Sequence, residues 1–171
     1  MATDVFETVR TVLAVREYQD KDVPADLVQR IVEAGRLTAS SMNLQPWHFV
    51  VVQKRERLGE LGGLVPTGPY VAGAAFAIVV GYETESRFGV SDASRAIQSM
   101  ILTAWSEGVG SNWTGFSGLD QVRRWSGLPD SYEVLAVVPF GYPKGSPGQG
   151  RKNRKPLSET ASSERFGTPI G

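Results

Sequence analysis

A polar loop, Ser40-Ser41-Met42-Asn43-Leu44-Gln45-Pro46-Trp47, runs directly into His48-Phe49-Val50-Val51-Val52. This junction restricts the fold more than any other stretch. Consecutive β-branched residues fit a pleated surface, so Val50 to Val52 predict a strand buried on both faces. Pro46 clashes with a helical residue before it, so Gln45 is expected to be extended. Two hydroxyls, two amides and an indole are thereby gathered at the mouth of a buried strand. Side chains of these types can satisfy the edge of a flat heteroaromatic ring carrying both donors and acceptors. They can equally cap a helix end and a strand start, which is the commoner role of such a stretch taken alone.

The rest of the chain supplies the layers such a strand needs. Val5, Val9, Val12 and Leu13 recur at helical spacing and predict a packed helix over Val5 to Val15. Pro24 suits the first turn of a second helix that ends near Leu37, with Leu27, Ile31 and Ala34 as its stripe. Lys54 to Leu61 reads as a short charged surface helix, Ala75 to Tyr82 as a second buried strand, and Glu83 to Gly89 as a polar connector. Ser91 or Asp92 is expected to cap a long central helix carrying Ala93, Ile97, Ile101, Ala104 and Trp105. Ser117-x-x-Asp120 reads as a capping-box variant opening a helix to Trp125, stopped by Gly127-Leu128-Pro129. Tyr132 to Phe140 is the last core strand. The assembled expectation is one α+β domain over residues 1–171, with four strands in a mixed, mostly antiparallel sheet and helices on both faces.

Composition narrows the chemistry. With 171 residues the chain can bury a real core. Cysteine is absent and histidine occurs once, as His48, so a thiolate nucleophile, a disulfide, a multi-histidine metal centre or a His-dependent triad has no material. A formal charge of zero gives no global attraction to nucleic acid or an anionic membrane. The longest apolar run, Val71 to Val80, is too short to span a bilayer, and the N-terminus has no signal-like block. A cytoplasmic location, with neither nucleic acid nor membrane as partner, is the expectation. His48 alternates with Trp47 and Phe49 along a strand and reads as a structural or surface residue.

Two further stretches carry chemistry. Gly108-Val109-Gly110-Ser111-Asn112-Trp113-Thr114-Gly115-Phe116 lets backbone N–H groups approach a ligand closely, although most glycine-rich loops are only turns. Arg151-Lys152-Asn153-Arg154-Lys155-Pro156-Leu157 is the one dense basic cluster, following the loop Lys144 to Gly150. Such a run is usually a solvated face.

Together these stretches resemble the FMN-dependent nitroreductase family, as a small member without a large lid. The opening loop is similar to the family's Pro-Ser-x-x-Asn-x-Gln-Pro-Trp signature, with Ala39 in place of proline. Gly108 to Gly115 resembles its Gly-Leu-Gly-x-x-Trp-x-Gly segment. Gly141-Tyr142-Pro143 followed by Lys152-x-Arg154-x-Pro156-Leu157 resembles its phosphate-binding end. The family's Arg-Arg-Ser-x-Arg segment falls on Val12-Leu13-Ala14-Val15-Arg16, where only Arg16 is kept and Val12 and Ala14 stand for a cation and a hydroxyl.

The resemblance implies an intertwined homodimer with FMN at the subunit interface, the tail 158–171 wrapping the partner, and a comparatively open pocket. It implies that Arg16, Lys152 and Arg154 hold the phosphate side and that the backbone of Trp113, Thr114 and Gly115 faces the reactive edge of the ring. Ser40, Ser41, Asn43 and Gln45 would act across the dimer. The implied activity is ping-pong transfer of electrons from NADH or NADPH through FMN to a nitroaromatic, a quinone or a similar small acceptor, with no side-chain catalyst. A flavin-sequestering protein, or another flavin reaction such as dehydrogenation or dehalogenation, would need the same residues.

Overall fold

The structure, a computed structural model, describes residues 4–115, 118–145 and 152–170. Strands β1 (Trp47–Val52), β2 (Phe76–Glu83), β3 (Gly110–Ser111) and β4 (Tyr132–Gly141) form one sheet of order β1-β2-β4-β3. All three pairings are antiparallel, and the parallel component expected from the sequence is reduced to an isolated bridge between Ala14 and Ser111.

Strand β2 lies between two neighbours, and its period of two assigns its residues to two cores. Phe76, Ile78 and Val80 pack with Ile31, Ile97 and Met100 under α2 (Ala25–Arg36) and α4 (Gly89–Ser106). Ala77 and Val79 pack with Leu58, Leu61 and Val122 under α3 (Arg55–Leu64) and α5 (Asp120–Ser126). The fold is therefore α+β with helices on both faces of the sheet, as the sequence implied. Among the described residues no helix is long and apolar enough to cross a membrane.

Several local expectations are corrected. β1 is an edge strand: Trp47 and Val52 are buried but Val51 is 36% exposed, so it is not covered on both faces. The first helix, α1 (Val5–Thr11), stops four residues early. From Val12 the chain runs extended, because the Val15 N–H donates to the Ser111 carbonyl at 2.9 Å. Nor is the apolar face of α1 packed, since Val5 is 73% and Val9 45% exposed. Helix α4 begins at Gly89, which places Ser91 and Asp92 inside it rather than at its cap. α5 begins at Asp120 with Leu119 before it and no side-chain cap, while Ser117 lies outside the described residues. The remaining α6 (Leu157–Thr160) is a single turn after the basic cluster, of which Arg151 lies outside the described residues.

Candidate functional site

The early end of α1 makes the site. Residues 12–14, running extended beside β3, open a cleft of about 760 Å³ bounded by α1, α4, the residues after β3 and the basic segment. Val9, Val12, Leu13, Ala14 and Ile101 give it an apolar floor, and Gln98, Ser111 and Asn112 add amides and a hydroxyl. Arg10, Lys152 and Arg154 place three cations on its wall, and Trp113 completes it.

Each cationic group has a defined anchor. The Lys152 ammonium donates to the Val9 carbonyl at 2.6 Å, which ties the basic segment to the end of α1. An Arg154 Nη1–H donates to the Asn153 carbonyl at 3.1 Å. Arg10 is held by Glu7 through a forked pair, Nε to Oε2 at 2.7 Å and Nη2 to Oε1 at 2.5 Å. Partial burial, with Arg154 and then Arg10 nearby, pushes the Lys152 ammonium below the usual lysine range. Arg16 stands beside the cleft rather than in it. It lines an adjoining hollow of about 280 Å³ that shares Leu13 and Ala14, and its guanidinium sits 6.0 Å from the centre of the Tyr70 ring. The Tyr70 hydroxyl in turn accepts an N–H from Asn112 at 2.5 Å, linking the two spaces.

The glycine-rich stretch divides its duties. Thr114 is committed to the sheet: its N–H donates to the Val137 carbonyl at 3.0 Å and its carbonyl accepts the Val137 N–H at 2.9 Å. The Thr114 N–H is thus engaged in the sheet, and its hydroxyl faces Thr67 at 3.3 Å. Gly115, at φ = 81°, occupies a conformation that side chains rarely tolerate, and a Cβ there would meet Leu119 at 3.0 Å. The Trp113 indole N–H is buried without a hydrogen-bond partner among the described residues. A buried unpaired donor costs about 1–3 kcal/mol, and the same residue lines the cleft.

The signature loop lies elsewhere on the subunit. Ser40, Ser41, Asn43 and Gln45 do not line the cleft; Ser41 joins the loop to the first turn of α4. The Ser41 N–H donates to the Asp92 carboxylate at 3.0 Å, and that carboxylate is fully buried and paired with Arg95. The Gln45 N–H donates to the Ser40 hydroxyl at 2.9 Å. Gln45 leaves the right-handed helical region, as the following proline demands, but towards positive φ (53°) rather than extended. Met42 and Asn43 are also at positive φ. Met42, Asn43, Leu44 and Gln45 are exposed, so the loop presents its side chains outward from the subunit. His48 is exposed, with its ring edge-on to Tyr132 at 6.2 Å.

Sequence reasoning missed Arg10, Gln98, Asn112 and Asp92. Arg10 and Gln98 had faint signals, a cation two residues before Val12 and a polar residue in an apolar helix. Asp92 had none, because its partner is 51 residues away. An apolar floor, edge amides and three cations at one side fit a flat ring carrying a polar edge and an anionic tail.

Comparison with known proteins agrees with the architecture. A model of the "Nitroreductase family" matches residues 10–65 and 64–142. A protein of Methanothermobacter thermautotrophicus named "Putative NADH dehydrogenase/NAD(P)H nitroreductase" is 37% identical over 153 residues, covering 85% of this chain and 80% of that protein. A solved structure of the same name from Bacteroides thetaiotaomicron superposes with a TM-score of 0.87 at 26% identity, covering 97% of this chain and all of the other. An "FMN-dependent Nitroreductase" from Clostridium difficile shares the fold, with a TM-score of 0.84 at 24% identity and coverage of 94% and 99%.

Proposed function

The chain belongs to the nitroreductase family, and from that premise we propose that it is an FMN-dependent oxidoreductase using NAD(P)H to reduce nitroaromatics, quinones or similar acceptors as a homodimer. The observation that carries this reading is the cleft, whose donor set suits a flavin ring at one end and a phosphate monoester at the other. When bound, FMN would supply the redox chemistry, as the two-electron carrier between NAD(P)H and the acceptor.

The chain's own part is to bind and orient. Lys152 and Arg154 hold the phosphate, Lys152 as a point charge and Arg154 as a fork. Val12, Leu13 and Ala14 give the ring a dry floor. Gln98 and Asn112 meet its polar edge, with the Gly115 backbone at the reactive side. Arg16 adds positive potential from the adjoining hollow. Ser40, Ser41, Asn43 and Gln45 serve the cleft of the partner subunit, which their outward-facing, non-cleft position in this one supports. The exposed Val5 and Phe6 of α1 and the exposed Phe166 of the tail support an interface that both subunits share. No carboxylate, imidazole or phenol is among the described residues lining the cleft, so water delivers the protons.

The apolar Val12 and Ala14 on the cleft wall favour one alternative, a flavin-binding protein without turnover. One experiment separates the two. The purified protein should carry a flavin spectrum that NADH or NADPH bleaches and that a nitroaromatic or quinone restores. Binding of FMN without bleaching selects the alternative, and a colourless protein indifferent to added FMN defeats both.

A further inference from the structure

We propose that Arg10 is a third ligand for the phosphate of the bound cofactor, taking in this chain the part that the apolar Val12 cannot; the proposal rests on the flavin reading above. Arg10 belongs to the last turn of α1 and is the only cation that helix contributes to the cleft wall. Its companions there are Lys152 and Arg154, which come from a segment some 140 residues away in sequence and are tied to α1 by the Lys152 bond to the Val9 carbonyl.

Like charges drawn to one wall repel, and the Lys152 ammonium holds its proton less tightly through partial burial first and then the fields of Arg154 and Arg10. A chain with no net charge has no general reason to collect three cations around an apolar floor. An anion between them removes the conflict, since a dianion needs about two or more cations or N–H donors to offset its desolvation. Arg10 can serve without leaving its partner. Glu7 occupies Nε and Nη2, and a guanidinium carries five N–H donors, so donors remain for a second acceptor. Its side chain is 60% exposed, so no packing holds it back from the cleft. Arg36 provides a matched comparison: it is forked to Glu33 at the same spacing, is equally exposed, and does not touch the cleft.

The test compares FMN with riboflavin, which differ only by the phosphate. Their dissociation constants are measured by flavin fluorescence on the full-length protein and on the variants R10A, R10K and R36A. R10A should weaken FMN about tenfold or more while leaving riboflavin within about twofold, as expected for loss of one charge-assisted contact. R10K should recover part of that loss, and R36A should change neither constant. An R10A protein that keeps wild-type FMN affinity, or that loses FMN and riboflavin equally, overturns the assignment while leaving the flavin reading in place. A wild-type protein that binds neither flavin overturns the flavin reading, and this proposal with it.

Discussion

Lys152 shows how a single position can set a pH limit on the molecule. Partial burial and the fields of Arg154 and Arg10 lower its proton affinity, so its charge disappears at a lower pH than that of an isolated lysine. Affinity for an anionic ligand held by that charge is greatest below the lowered value and declines as pH rises through it. FMN dissociation followed against pH should therefore show a loss on the alkaline side that K152R, which stays charged, removes. A flat profile in both proteins would contradict the role given to Lys152. Asp92 is the second residue that decides more than its sequence context suggests. Buried, it accepts the Ser41 N–H and pairs with Arg95. D92A strands that N–H and should cost about 1–3 kcal/mol in denaturant unfolding, with D92N, which keeps an acceptor, losing less. A D92A protein as stable as wild type would show that the loop does not depend on this carboxylate.

Elements show where local preference yields to pairing. Residues 12–15 have the spacing to continue α1, yet the bond from Val15 to Ser111 and the bridge from Ala14 to Ser111 draw them alongside β3. Gly110 makes that approach possible: a Cβ there would lie 2.5 Å from Val15 Cγ2 and 2.8 Å from its Cβ. Valine is stiff at χ1 and cannot swing aside, so G110A should separate the strap from β3 and cost about 1–3 kcal/mol. Denaturation would register the loss, and unchanged stability together with unchanged flavin affinity would refute the strap as the organiser of the cleft. The loop before β1 makes the complementary case. Three of its non-glycine residues, Met42, Asn43 and Gln45, sit at positive φ. Such conformations cost on the order of 1–3 kcal/mol each and persist only where neighbours hold them. Here the Ser40 hydroxyl and the Asp92 carboxylate do so.

At the scale of the whole molecule, the unexplained surface is apolar. Val5 and Phe6 project at 73% and 71% exposure from α1, the helix whose Val9 and Arg10 line the cleft. A second subunit covering them predicts sedimentation at twice the 18.5 kDa of one chain. F6E should shift the protein towards one chain and weaken FMN in parallel, and a wild-type protein sedimenting as one chain would end the dimer reading. The layers of this molecule were legible in its residues. The apolar runs at 76–80 and 134–140, the stripe of α2 and the period of α4 are local patterns, and local patterns suffice because burial acts on every residue of a run alike. The basic cluster was legible as a contiguous run of charge, and the fold brings its Lys152 and Arg154 to the cleft. Edges and partners were decided only in three dimensions. Whether Val51 is covered, where α1 stops, whether the Thr114 N–H is spent on Val137, and that Asp92 meets Ser41 all depend on contacts between distant segments. A hydrogen bond satisfies one donor, and which acceptor it finds is settled by the packing that brings the two together.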